Sequence, residues 1–242
     1  MAEGSRLVGA ALGCGAEVEG VYVAAGREHD AALWETLERA QAAGVRVHEL
    51  APGVMERVAD TVTPQPVLAV VRMPETALGS VEQSGFVVVC VDVRDPGNAG
   101  AIIRLADAAG ADAVVCCDGT VDPFNPKTVR ASAGSVLHVP VVVGGEPAVV
   151  LDALGRAGLR RLAAAVRGGI PYTEAPLEPP LALVLGNEAT GLPVAAAAHL
   201  DGAVTIPMAG GAESLNVAMA AAVLCFEVQR RRSNMHAMKG LR

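Results

Sequence analysis

Residues 86–110 read FVVVCVDVRDPGNAGAIIRLADAAG: a continuous apolar run, a Pro-Gly-Asn-Ala-Gly turn, then an amphipathic helical pattern. A strand that is apolar on both faces has to be covered on both. FVVVCVD (86–92) therefore predicts a strand of a parallel sheet, and 98–109 predicts the first helix laid across it. The same alternation continues downstream. Strand-like AVVCC (113–117), VPVVV (139–143), LRRLAAAV (159–166), LALVLG (181–186) and VTIP (204–207) are joined by a helical stretch at 146–157 and closed by a long final helix near 214–232. Upstream lies a shorter series, with strands at 18–24, 45–50 and 67–72, a helix at 29–44 and a short helical stretch near 53–60. Between the series, PETALGSVEQSG (74–85) is polar, contains Pro, Gly and Ser, and has no period, as a linker does. The expectation is an α/β protein with a small α/β domain over 1–73, a linker over 74–85 and a larger, open, mostly parallel domain over 86–242.

Composition agrees with a folded α/β chain. Of 242 residues, 52% are hydrophobic, 19% charged and 2% aromatic, so small aliphatic side chains fill the core. The apolar runs are too short to span a bilayer, and the start shows no basic region followed by an apolar one, so a cytoplasmic protein is expected. Five cysteines and five histidines form no CxxC pair and no ligand spacing. The cysteines read as small hydrophobes in a reducing compartment, and no metal is expected. A net charge of −7 argues against nucleic-acid binding by overall charge. The basic cluster Arg230, Arg231, Arg232, Lys239 and Arg242 reads as a solvated tail favourable to the C-terminal end of the last helix.

Chemistry concentrates in three loops, each following an apolar strand: DVRDPGNAGAIIR, LGNEATGLP (185–193) and IPMAGGAESLNVAMA (206–220). Each combines glycine, which lets backbone approach a ligand, with small polar groups. Singly, Asn98 or Ser214 would pass as a helix cap, Glu188 as a surface acid and Arg104 as a helix-face residue. Together they lie at strand ends that a parallel sheet brings to one place. Neither GxGxxG nor GxxxxGK[ST] follows any strand, which disfavours a nucleotide- or NAD-dependent enzyme.

The set Asn98-x-Gly100-xxx-Arg104, then LVLGNEATGLP, then IPMAGGAESLNVAMAAAVLCFE resembles the three motifs of the SpoU/TrmH family of RNA 2′-O-ribose methyltransferases in the SPOUT superfamily. The resemblance spans 86–232 and includes KTVRASAGSVLHVPVV (127–142) between the first and second motifs. The N-terminal unit is similar to the substrate-recognition domain that many members carry. This resemblance implies a C-terminal trefoil knot, which general rules of chain topology would have excluded. It also implies a bent S-adenosylmethionine among the knotted loops, and an RNA substrate, ribosomal ahead of transfer RNA. It places Gly186, Ile206 and Leu215 at the cofactor, together with Ala164, Ala165 and Met208. Arg104 becomes the catalytic centre, with Asn98, Glu188, Ser214 and Asn216 orienting it and the substrate, and Lys127 and Arg130 meeting the RNA backbone. A guanidinium stays protonated, so Arg104 suits phosphate holding and alkoxide stabilisation better than proton removal. The proton would leave to Glu188 or to water. The alternatives are a non-catalytic RNA-binding protein of the same fold and a base-methylating SPOUT enzyme. RNA specificity would rest on 1–73, where no aromatic platform is evident beyond Tyr22 and Trp34. A homodimer is expected through the final helix, because SLNVAMAAAVLCFEVQ (214–229) is apolar around more of its circumference than one buried face needs.

Overall fold

The computed structural model describes all residues except Glu28, Asp60, Glu82 and 240–242. The chain forms two compact units, Met1–Pro74 and Glu75–Arg242. In the first unit, β1 (Ala2–Glu3), α1 (Ser5–Gly13), β2 (Val18–Val23), α2 (Ala31–Ala42), β3 (Val47–Glu49), α3 (Met55–Val58) and β4 (Val67–Val71) build a four-stranded sheet of order β1-β4-β2-β3. The β2–β3 pair, joined through α2, is parallel, while β4 runs antiparallel to β1 and β2. Asp30 caps α2 by accepting the Ala32 amide at 2.9 Å. The short β1 and α1 carry too little periodicity to be read from sequence; SRLVGAALG contains two glycines and has no side-chain cap.

The second unit contains β5 (Phe86–Cys90), α4 (Pro96–Ala108), β6 (Ala113–Cys116), α5 (Pro126–Ser132), β7 (Val141–Val143), α6 (Pro147–Arg156), β8 (Arg160–Ala164), β9 (Ile170–Pro171), β10 (Leu181–Leu185), α7 (Val194–Ala197), β11 (Gly202–Thr205) and α8 (Val217–Lys239). Its seven strands run β7-β6-β5-β10-β8-β11-β9, and each recorded pairing is parallel. Every residue of β5 and β10 is buried, as their unbroken apolar runs require. From β5 the chain builds outward to β6 and β7, then returns to place β10 on the other side of β5. The boundary between β5 and β10 is therefore a topological switch point, where diverging connections leave a crevice at the strands' C-terminal ends.

Three local expectations are corrected. Helix α4 starts at Pro96, not 98, because Asp95 is the cap and accepts the Asn98 amide at 2.8 Å. The Asn98 side chain is thereby released for other contacts. Gly100 is not a loop glycine near a ligand; it is buried within α4, where a Cβ would lie 2.5 Å from both the Thr128 carbonyl oxygen and the Ala131 Cβ of α5. It exists for helix-on-helix approach. Finally, α8 begins at Val217 rather than 214, capped by Asn216 Oδ1, which accepts the Ala218 amide at 2.8 Å.

Within the basic C-terminal cluster, expected to be a solvated tail, Arg231 is not solvated, whereas Arg230 is 59% exposed. The Arg231 side chain is only 12% exposed, and its Nε, Nη1 and Nη2 donate to Glu227, to Glu178 and the Ala175 carbonyl, and to the Tyr172 and Thr173 carbonyls. Arg242 and the Lys239 side chain lie outside the described residues. Hydrogen bonds from Arg230 and then Arg231, against the opposing effect of burial, hold the Glu227 carboxyl down at about 2. A carboxylate depressed in the folded state stabilises it above the unfolded pKa and loses that contribution as pH falls through the folded one. Melting temperature is thus expected to drop between pH 4.5 and about 2, and Glu227→Gln to flatten that part of the profile while lowering stability at neutral pH. A profile equally steep in both proteins would contradict this.

Candidate active site at the switch point

The three loops converge as strand order predicts. A cavity of about 420 Å³ opens at the ends of β8, β10 and β11, within the size range of small-molecule sites, roughly 300–1,000 Å³. Its walls are largely aliphatic, with Ala163–Val166 from the end of β8, Leu192 and Leu200 around α7, and Val217, Ala220 and Leu224 from α8. All six expected cofactor residues, Ala164, Ala165, Gly186, Ile206, Met208 and Leu215, line it, as do Glu188 and Ser214. Its lining holds two carboxylates, Glu188 and Glu213, and no lysine, arginine or histidine. Such a wall suits an apolar, flat molecule that carries a positive charge.

The loop after β10 is folded tightly on itself. Asn187 and Gly191 exchange backbone hydrogen bonds of 3.1 and 3.0 Å. Gly186 faces that turn so closely that a Cβ would lie 2.7 Å from the Gly191 carbonyl carbon, so glycine is required there. Asn187, which sequence reasoning missed, organises the loop. Its Oδ1 accepts the Ala189 and Thr190 amides, and its Nδ2 donates to the Asp92 carbonyl at 2.9 Å, tying the loop to the end of β5. The available signal was an Asn opening a turn that a Gly closes four residues on. A second residue missed is Arg94, exposed on the β5–α4 loop and paired with Asp92 at 2.8 Å. Asp92, by hydrogen bond and charge, and Glu188, by charge, raise its pKa further.

Above the cavity, residues from all three loops meet. Asn98 Nδ2 donates to Glu188 Oε1 at 2.8 Å, and Asn216 Nδ2 donates to Asn98 Oδ1 at 2.9 Å. Asn98 thus bridges the other two loops, with its amide orientation fixed by one donor and one acceptor partner. Arg104, Lys127 and Arg130 do not line the cavity; they are exposed on α4 and α5. The two helices pack closely at Gly100, so these cations share one helical layer outside the pocket. The arrangement offers an apolar, acid-lined pocket, a polar cluster at its mouth and cations placed to meet an anionic partner.

Known proteins place this arrangement. Residues 85–226 match the family model of the SpoU rRNA Methylase family, and residues 1–77 match that described as RNA 2′-O ribose methyltransferase substrate binding. The 23S rRNA (guanosine(2553)-2′-O)-methyltransferase RlmP of Bacillus subtilis is 42% identical over 187 residues, covering 77% of this chain and 73% of that protein. The 23S rRNA (uridine(2479)-2′-O)-methyltransferase of Streptomyces viridochromogenes is 37% identical over 176 residues, 70% of this chain and 61% of that protein. Among solved structures, the AdoMet-bound rRNA methyltransferase from Sinorhizobium meliloti superposes with a TM-score of 0.80 at 32% identity, covering 95% of this chain and 86% of that one. Fold and site together define an RNA-modifying methyltransferase built from two units. The chain belongs to the SpoU rRNA Methylase family.

Proposed function

We propose that the protein transfers a methyl group from S-adenosylmethionine to a ribose 2′-hydroxyl of ribosomal RNA. The observation that carries this reading is the Glu188–Asn98–Asn216 hydrogen-bonded cluster over an acid-lined apolar cavity. A protein that only bound RNA would need neither the cluster nor the pocket beneath it. The pocket fits the cofactor: aliphatic side chains from Ala164, Ala165, Ile206, Met208 and Leu215 would flank the adenine, and the bare backbone at Gly186 would approach it. Glu188 and Glu213 would complement its positive charge. When bound, S-adenosylmethionine supplies an electrophilic methyl group. The chain's own residues do the rest. Asn98, Asn216 and Ser214 orient the ribose over the pocket, Arg104 holds the adjacent phosphate and stabilises the developing alkoxide, and the hydroxyl proton passes to Glu188 or to water. Lys127 and Arg130 add backbone affinity without sequence preference.

The same reading assigns RNA recognition to 1–73, a linker to 74–85 and methyl transfer to 86–242, with the last segment threaded as a trefoil knot. It makes the protein a cytoplasmic homodimer. No helix among the described residues is long and apolar enough to cross a membrane. On α8, Met219 and Phe226 are 63% and 44% exposed and lie seven residues apart on one stripe, which supports a dimer through that helix. Light scattering at micromolar concentration should give twice the 24.5 kDa chain mass, and a monomer would refute the dimer.

Ribosomal RNA from cells with and without the protein, mapped by mass spectrometry, should differ by one ribose methyl group. A methyl group on a base, or no difference, would refute the reading. Gly186→Ala probes the cofactor site, since its new Cβ would collide with backbone at 2.7 Å and displace the loop. Strain of about 1–3 kcal/mol in the bound geometry should weaken S-adenosylmethionine binding about fivefold or more by calorimetry. An unchanged Kd would mean that this loop does not meet the cofactor.

A further inference from the structure

We infer that the stacked Tyr22–His48 pair of the first unit is a platform on which one unpaired RNA base stacks. The inference rests on the RNA substrate proposed above and gives its recognition a place. Tyr22 on β2 and His48 on β3 are direct partners across a parallel pair, so their side chains rise on the same side of the sheet. Their ring centroids are 5.3 Å apart with planes inclined by 24°, an offset stack. Val21 and Val23, which flank Tyr22 in the strand, are fully buried, whereas Tyr22 is partly exposed and His48 exposed. By strand alternation the two rings therefore stand on the face away from that core.

The pair is also supported from below. The Tyr22 ring lies back over Gly20, where even a Cβ would sit 3.3 Å from the tyrosine hydroxyl. Glycine at this position lets the ring lie flat along the strand, with the His48 ring against it. In a chain with two tyrosines, three phenylalanines and one tryptophan, a paired ring surface open to solvent is a rare feature.

Charge favours stacking over phosphate attraction as this unit's means of recognition. Residues 1–74 hold ten carboxylate side chains against six arginines and no lysine, a net of −4. A unit of that sign gains nothing from general attraction to the backbone, whereas stacking on an aromatic face is indifferent to it. Sequence-specific RNA binding uses bases that are splayed out of loops and stacked on aromatic or histidine rings. Arg46, exposed and two residues before His48, supplies one local cation for the phosphate beside a stacked base.

The test uses the full-length protein, tritiated S-adenosylmethionine and ribosomal RNA extracted from a strain lacking the protein. His48→Ala and Tyr22→Leu should each raise the KM for RNA about tenfold, as expected for loss of one base-stacking contact. The kcat and the Kd for S-adenosylmethionine should stay within about twofold, because the platform does not touch the reacting atoms. His48→Phe and Tyr22→Phe, which keep the rings, should restore a KM near that of the unaltered protein. An unchanged KM in the His48→Ala/Tyr22→Leu double variant, or a His48→Phe variant as weak as His48→Ala, would overturn the platform. Failure of the RNA reading itself would look different: the unaltered protein would label no RNA, and the platform would fall with it.

Discussion

Arg104→Ala is expected to lower the methylation rate about a hundred- to a thousand-fold, the range for loss of one group aimed at developing charge. Fold, S-adenosylmethionine affinity and melting temperature should be nearly untouched. Arg104 is exposed on α4, outside the cavity lining, and among the described residues it has no ion pair or hydrogen-bond partner. No described residue binds its guanidinium, so truncation should change stability by roughly half a kcal/mol or less. On the proposed reading its work is done on the RNA, beside the Asn98 cluster. Arg104→Lys is the sharper variant, because it keeps the charge and loses the planar fork that grips phosphate with two parallel hydrogen bonds. It should be nearly as inactive as the alanine variant. Single-turnover transfer from tritiated S-adenosylmethionine measures both, and near-normal rates in Arg104→Ala would refute the catalytic assignment.

Arg231→Leu should be the most destabilising of the arginine substitutions. The guanidinium satisfies the Tyr172, Thr173 and Ala175 carbonyls and the Glu178 and Glu227 carboxylates, and Glu227 is itself only 9% exposed. Glu227 keeps Arg230, but the Tyr172, Thr173 and Ala175 carbonyls lose their side-chain donor, at a cost of about 1–3 kcal/mol. For a chain of this size that is a fall of several degrees in melting temperature. Arg230 pairs with the same Glu227 but is 59% exposed, and Arg230→Ala should cost no more than about 1 kcal/mol. Calorimetry showing equal losses for the two variants would mean that Arg231 is not the fastening point.

These two arginines also mark what the sequence could and could not disclose. The sheet of the second unit was legible because FVVVC and LALVL are apolar without interruption, a pattern that leaves few alternatives. The three loops were legible as a set because strand ends of a parallel sheet converge. Arg231 was not, since three consecutive arginines look solvated until the loop 172–178 is known to cover the middle one. Gly100 carried the appearance of a ligand-facing glycine because α5 was not recognised, and only α5 explains its bare Cα. The role of Asn98 as a bridge between Glu188 and Asn216 depends on contacts across 90 and 118 residues, which no local pattern encodes.

The Arg231 fastening has a consequence for how the protein is made. The groups it binds between Tyr172 and Glu178 precede it by 53 to 59 residues, so at roughly 5–20 residues per second they leave the ribosome several seconds earlier. Val217, Ala220 and Leu224, which wall the cavity, also come after every strand of the sheet. Once β11 has emerged and until α8 follows, the nascent chain has all the strands of the sheet but neither a closed pocket nor the bolt that secures it. The cavity wall is complete only with α8, and a message cut short before Val217 would yield the strands without it.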